Sequence, residues 1–304
     1  MNDERLEVVD VLIAGAGLSG LMAARRLAQA GLSVRVVERE PVAGGRLATW
    51  QSGSNRADTG AQFFTVRTRE FGVVVEQWLA QEWIFEWTRG WSDGSLLGDR
   101  PDGYPRYAAR GGFGALAHNL SAGSPVRFAT EIGATLLDAD GWSVMTTAQE
   151  RFRGRALILT PPVPQSLALL DAGHVRLPDQ QRMVLDAIRY GRCLSGVFVV
   201  DGNMALPEPG ALQRPAAPIS WVADNRRKGI STAGRTLTVH ASPVASAERW
   251  TETDEAVLAW MAAELEPWLA PETSVSAPYS SAGPMPFPSA CIRRGAFPCQ
   301  CPHL

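Results

Sequence analysis

The sequence predicts an α/β fold, and three observations predict it. A β-prone apolar run near the start leads directly into closely spaced glycines, and a helical stretch with a second β-prone run follows at once. The length of 304 residues also suits two structural units better than one. Composition is ordinary for a globular protein, with 45% apolar and 20% charged residues. A formal net charge of −2 gives no electrostatic reason to expect nucleic acid or an anionic membrane as partner. No run approaches the roughly 18–20 apolar residues that cross a bilayer. The first apolar run, Val8 to Ala14, follows Asp3, Glu4 and Glu7, so no signal peptide is expected. Four cysteines, three of them in the last fourteen residues (Cys291, Cys299, Cys301), do not make a disulfide framework, and a reducing cytoplasm is expected. Cys299-x-Cys301 with His303 lacks the spacing of a structural zinc site, so no metal is expected.

Each opening element has a physical reason. Val8, Val9, Val11, Leu12 and Ile13 read as a strand buried on both faces of a parallel sheet. Gly15-x-Gly17-x-x-Gly20 follows, and Leu21 to Ala30 reads as a helix with Arg25 and Arg26 outward and Gly31 as its C-terminal stop. Val34, Val36 and Val37 form the next strand, with Glu38 at its end. Gly15 permits the tight turn, Gly17 lets backbone approach a pyrophosphate, and Gly20 lets helix pack on strand. Leu18 and Ser19 open the helix, whose first amides and dipole favour phosphate. Glu38 lies eighteen residues past the last glycine, where a carboxylate can accept ribose hydroxyls. Strand, glycines, helix, strand and acid together make a Rossmann-like dinucleotide-binding unit.

Arg39-Glu40-Pro41-Val42-Ala43-Gly44-Gly45-Arg46 comes next. The glycine pair offers a second close backbone approach, and Arg46 offers a phosphate a bidentate guanidinium; a solvated surface arginine is the other reading. This resembles the flavin amine oxidase superfamily, in which the acid and the G-G-R signature belong to FAD. Asp58-Thr59-Gly60-Ala61-Gln62-Phe63-Phe64-Thr65-Val66-Arg67 resembles the D-x-G-A-Q-[YF]-F-T-x-R segment of renalases and their bacterial relatives. There it runs beneath the flavin ring and lines the substrate cavity. Further blocks fall in the family's order: Gln77-Trp78 with Glu86-Trp87-Thr88, Pro125 to Phe128 with Ile132, Ala156 to Gln165, Ser220 to Lys228, and Val239 to Ser242. The resemblance covers roughly residues 8 to 270 and implies that Ile132 touches FAD.

An FAD-binding Rossmann-like (two-dinucleotide-binding) domain is therefore expected over 1–70 and 110–165, with a mixed α+β substrate domain over 71–109 and 166–272. Within the latter, Trp83 to Trp91, Leu194 to Val200 and Leu237 to His240 read as strands, Glu255 to Trp268 as a helix, and Leu206 to Pro218 as a loop. The tryptophans there suit either core packing or an aromatic cage. The resemblance stops in 273–304, which has no G-D strand ending. Pro278, Pro284, Pro286, Pro288, Pro298 and Pro302 argue against a place in a central sheet. That tail is expected to be non-homologous and largely disordered, weakening the hold on FAD.

No nucleophile, paired carboxylate or metal cluster stands out, and a flavin enzyme needs none, because the cofactor carries the chemistry. The resemblance implies oxidation of the 2- and 6-dihydro isomers of NAD(P)H to NAD(P)⁺, with O2 taking the electrons as hydrogen peroxide. It places Gln62 and Phe63 against the ring, and Phe63, Phe64, Thr65, Val66 and Arg67 toward the substrate. Arg67 suits a substrate phosphate or plain solvation. His240 suits donating a hydrogen bond to a nicotinamide carboxamide, a proton transfer, or a structural role. Two alternatives remain open: an FAD-dependent amine oxidase, and a truncated non-catalytic product without stable FAD.

Overall fold

A computed structural model describes residues 8–92, 100–276 and 292–298. In chain order the elements begin with β1 (Val8–Ala14), α1 (Leu18–Gln29) and β2 (Val34–Val37). A hairpin of β3 (Thr49–Ser52) and β4 (Asn55–Asp58) follows, then α2 (Arg69–Ala80), β5 (Ile84–Trp91), β6 (Arg100–Ala109) and α3 (Phe113–Ser121). Next come β7 (Val126–Arg127), β8 (Ile132–Asp138), β9 (Gly141–Thr146), β10 (Arg151–Leu159), α4 (Val163–Ala172) and α5 (Asp179–Asp186). The remainder is β11 (Tyr190–Asp201), β12 (Ala211–Gln213), β13 (Ile219–Asp224), β14 (Arg235–Ala241), α6 (Pro243–Glu248), α7 (Asp254–Leu265), β15 (Ser274–Ser276) and β16 (Ile292–Pro298). These fall into two compact units: residues up to 47 with 117–188, and 48–116 with 189 onward.

The first unit is a six-stranded sheet in the order β7-β2-β1-β10-β9-β8. β7, β2, β1 and β10 are parallel, and β9 and β8 close the edge antiparallel. β1 is flanked by β2 and β10 and Val11 to Ala14 are all buried, which accounts for its unbroken apolar run. Gly31, at φ +81°, ends the helix by donating its N–H to the Ala28 carbonyl. α4 lies so close on β8 that a Cβ on Gly173 would strike the Thr135 carbonyl, and Thr135 Oγ1 donates to Leu169 O at 3.2 Å. That packing puts 166–188 in the first unit, whereas the sequence suggested the second.

The second unit is built on the antiparallel order β12-β13-β14-β11-β15, with β16 also on β11. Its core joins Leu194, Phe198, Leu237 and Val239 of the sheet to Val257, Met261 and Leu265 of α7. α7 starts where Thr253 Oγ1 accepts the Ala256 N–H, with Asp254 and Glu255 in its first turn. β12 is a short strand inside the expected Leu206–Pro218 loop, paired to β13 from Ala211 to Gln213. Residues 48–70 belong to this unit, because Thr236 Oγ1 of β14 donates to Arg56 O in the β4 hairpin strand.

The expected disorder of 273–304 is corrected where the chain is described. β15 pairs Ser274 with Asp201, and β16 pairs Ile292 with Gly196 through Pro298 with Tyr190, both along one edge of β11. The window 292–297 contains no proline, and Pro298 ends the register, where a missing donor costs least. Cys291, Cys299, Cys301, His303 and the other tail prolines lie outside the described residues. Among the described residues no helix is long and apolar enough to cross a membrane.

Candidate active site

In the first unit the three glycines of the turn have different reasons to be glycine. Gly15 has φ +96°, and a Cβ there would sit 2.7 Å from Thr160 Oγ1. A Cβ on Gly20 would collide with the Gly15 carbonyl. Gly17 is different: φ −74° and ψ 177° suit any residue, and a Cβ would meet nothing nearer than Gly44 O at 4.0 Å. The fold explains two glycines and leaves the space beside the third for something else. Leu18 and exposed Ser19 open α1 beside it.

The second glycine pair closes over this turn. Gly44 N donates to Ala16 O at 2.9 Å, and Gly45 has φ +54°. Buried Glu38 accepts the Ala16 N–H at 2.5 Å and the Glu40 N–H at 2.9 Å. It therefore ties β2 to the glycine turn, and each oxygen keeps a lone pair for a further donor. Arg46 is exposed and makes no ion pair among the described residues. Arg39 pairs at the surface with Glu40, 3.2 Å away. Ile132 packs on Val9, Leu12, Val37 and Val144.

In the second unit, alternate side chains of β14 hold the 56–59 segment by its carbonyls. Thr236 Oγ1 donates to Arg56 O (2.6 Å), Thr238 Oγ1 to Asp58 O (2.9 Å), and His240 Nε2 lies 3.2 Å from Thr59 O. Ser195 Oγ of β11 adds a 2.7 Å bond to Thr59 O. Burial, and to a lesser degree the Lys228 cation, pull the His240 pKa down to about 4, so the ring is neutral near pH 7. With Nε2–H assigned to Thr59, Nδ1 is an acceptor. His240 is thus a tether whose free nitrogen accepts, whereas the sequence reading had it donating.

Asp58 and Lys228 form an ion pair at 2.7 Å, and both side chains are fully buried. Asp58 Oδ1 also accepts from Thr49 Oγ1 (2.6 Å) and Phe113 N (2.8 Å). Burial lowers the Lys228 pKa while the Asp58 charge and hydrogen bond oppose it. Gln62 Nε2 donates to Asp58 O and Gly60 O, leaving Oε1 buried without a partner among the described residues. In the sequence Lys228 stands out only as the last residue of the Ser220 to Lys228 block. Its partner lies 170 positions away.

Phe63 and Phe64 diverge. Phe63 sits 5.0 Å from Trp91 and 5.6 Å from Trp221 between ring centroids. Phe64 pairs its backbone with Tyr107 and packs among Phe71, Trp78, Tyr107 and Phe113. Thr65 and Val66 are half-buried, and a Cβ on Gly72 would come within 3.7 Å of Val66. Arg67 is exposed, its guanidinium 5.8 Å over the Tyr104 ring.

The family model described as flavin containing amine oxidoreductase matches residues 18–82 and 75–300, so the match runs through most of the 273–304 segment that the sequence suggested to be non-homologous. The chain belongs to that family. Phytoene dehydrogenase of Streptomyces griseus is 52% identical over 56 residues, covering 18% of this chain and 11% of that protein. The chain therefore spans only a small part of this curated relative. Among solved structures, a triple mutant of putrescine oxidase superposes with a TM-score of 0.67 at 16% identity, over 90% of this chain and 85% of the other. Reduced UDP-galactopyranose mutase superposes at 0.64 with 14% identity, over 89% and 82%. These likenesses show the fold.

FAD is the family's cofactor, and the first unit fits it. The uncrowded backbone at Gly17 suits the close approach of a pyrophosphate, and the lone pairs left on Glu38 suit ribose hydroxyls. The amides that open α1 face the same turn.

Proposed function

We propose that the chain is an FAD-dependent oxidase that takes hydride from 2- or 6-dihydro isomers of NAD(P)H and releases NAD(P)⁺. The reading is carried by the 57–67 segment, whose renalase-like residues are seated on the second sheet with Gln62 Oε1 left as a buried acceptor without a partner among the described residues. FAD, when bound, supplies a two-electron acceptor that dioxygen reoxidises, giving hydrogen peroxide.

The protein's own part is binding and orientation. Gly17, Gly45 and the first amides of α1 hold phosphate, Glu38 accepts ribose hydroxyls, and Arg46 adds a charge at the surface. Gln62 and Phe63 face the reacting rings, and Arg67 meets a substrate phosphate. His240 Nδ1 accepts a hydrogen bond from a carboxamide N–H. Hydride transfer itself needs no general acid.

The test is the anaerobic reductive half-reaction. Isomeric dihydronicotinamides should bleach the visible flavin band quickly, while benzylamine, phenethylamine and ordinary 4-dihydro NADH should not. The second reading, an amine oxidase, follows the family description, and fast bleaching by a simple amine would establish it instead. A chain purified without flavin would point to the non-catalytic alternative.

A further inference from the structure

All ten tryptophans fall among the described residues, and three have a buried indole N–H with no acceptor there: Trp87, Trp91 and Trp221. They are not scattered. Trp91 lies 4.8 Å from Trp87 and 4.8 Å from Trp221 between ring centroids, and Phe63 completes the group. The contacts are edge-to-face, and a neighbouring ring face replaces only part of a hydrogen bond. A cluster with three unspent donors is an unusual way to build a core, where Trp finds a partner for its N–H.

The ring faces are less available than the edges. The Arg106 guanidinium stands 5.7 Å over Phe63 and 5.5 Å over Trp91, and Lys228 Nζ stands 5.0 Å over Trp87. An ammonium ligand would compete with these cations for the same faces and meet like charge. Phe63 and Trp87 are half-buried, so the cluster reaches the surface at these two rings. The centroid spacings leave no room for a further ring between these, so a ligand meets the edges, turning at least one indole as it enters.

We propose that Phe63, Trp87, Trp91 and Trp221 form a subsite for an uncharged planar ring bearing a carbonyl, gripped by indole N–H groups, and that the subsite rejects protonated amines. The proposal deepens the oxidase reading by naming the part of the substrate that is recognised, and it rests on that reading only for the reaction, not for binding.

The experiment follows indole N–H resonances of the purified FAD-loaded protein by NMR, with assignments from Trp87→Phe, Trp91→Phe and Trp221→Phe. Benzamide should move at least two of the three signals downfield, and benzylamine at equal concentration should move none. Each Trp→Phe change keeps a ring and removes one donor, and at least two of the three changes should weaken benzamide binding about tenfold. Equal response to benzylamine, absence of any response to benzamide, or unchanged affinity in two or more of the three variants would overturn the proposal. Should a variant not fold, the comparison of the two ligands on the unaltered protein decides alone. Because binding is read and not oxidation, failure of the half-reaction with dihydronicotinamides would leave this result standing.

Discussion

At Asp58 and Lys228 two opposite charges leave water together, and neither tolerates the loss of the other. Lys228→Met would leave the Asp58 carboxylate with Thr49 and Phe113 as donors but no cation. Asp58→Asn would leave a buried ammonium against the rings of Trp87 and Phe113. Each single change should lower unfolding stability by about 3–5 kcal/mol. The double variant should recover a large part of that loss, since it removes both charges. Urea unfolding of the four proteins measures the coupling. Single variants within about 1 kcal/mol of the parent would show that the pair is not desolvated as described. The pair was not legible in the sequence: a lysine at the end of the Ser220 to Lys228 block announces nothing about a carboxylate 170 positions earlier.

Strand β14 acts as an element through its alternation, which sends Thr236, Thr238 and His240 to one face. A pH dependence follows from its last member. His240 titrates near its ordinary value of 6.5 when unfolded but near 4 when folded, because the folded ring is desolvated. Below about pH 6.5 the unfolded chain takes a proton that the folded chain refuses, so stability falls until about pH 4 and this contribution then levels. His240→Gln, which can still donate to Thr59, should flatten the decline between those limits. A thermal melt series across the range tests it, and an unchanged slope would mean another group is responsible. Elements whose cause is local were readable: the glycine turn, β2 with Glu38 at its end, and β14 all follow from residues adjacent in sequence. β16 was not, because crowded prolines on either side hid a proline-free window that only the long edge of β11 makes useful. Likewise β12 is too short to show a period.

For the molecule as a whole, the two units divide at other points than the sequence suggested, since 48–70 follows the tethers from β14 and 166–188 follows α4 onto β8. Composition carries no trace of either contact. The unfilled space beside Gly17 has a practical meaning for whoever purifies this protein. Gly20→Ala damages the scaffold, and its product should melt early with or without added cofactor. Gly17→Ala meets the scaffold only at Gly44 O, at an ordinary contact distance of 4.0 Å, so it should melt with the unloaded parent while gaining nothing from FAD. The parent should gain about 2.7 kcal/mol at a free FAD concentration a hundredfold above Kd. A Gly17→Ala protein stabilised by FAD as much as the parent would show that the space serves some other purpose. If it is not, one methyl group separates a yellow protein from a colourless one of the same shape, and the colourless one is the blank against which every flavin signal can be read.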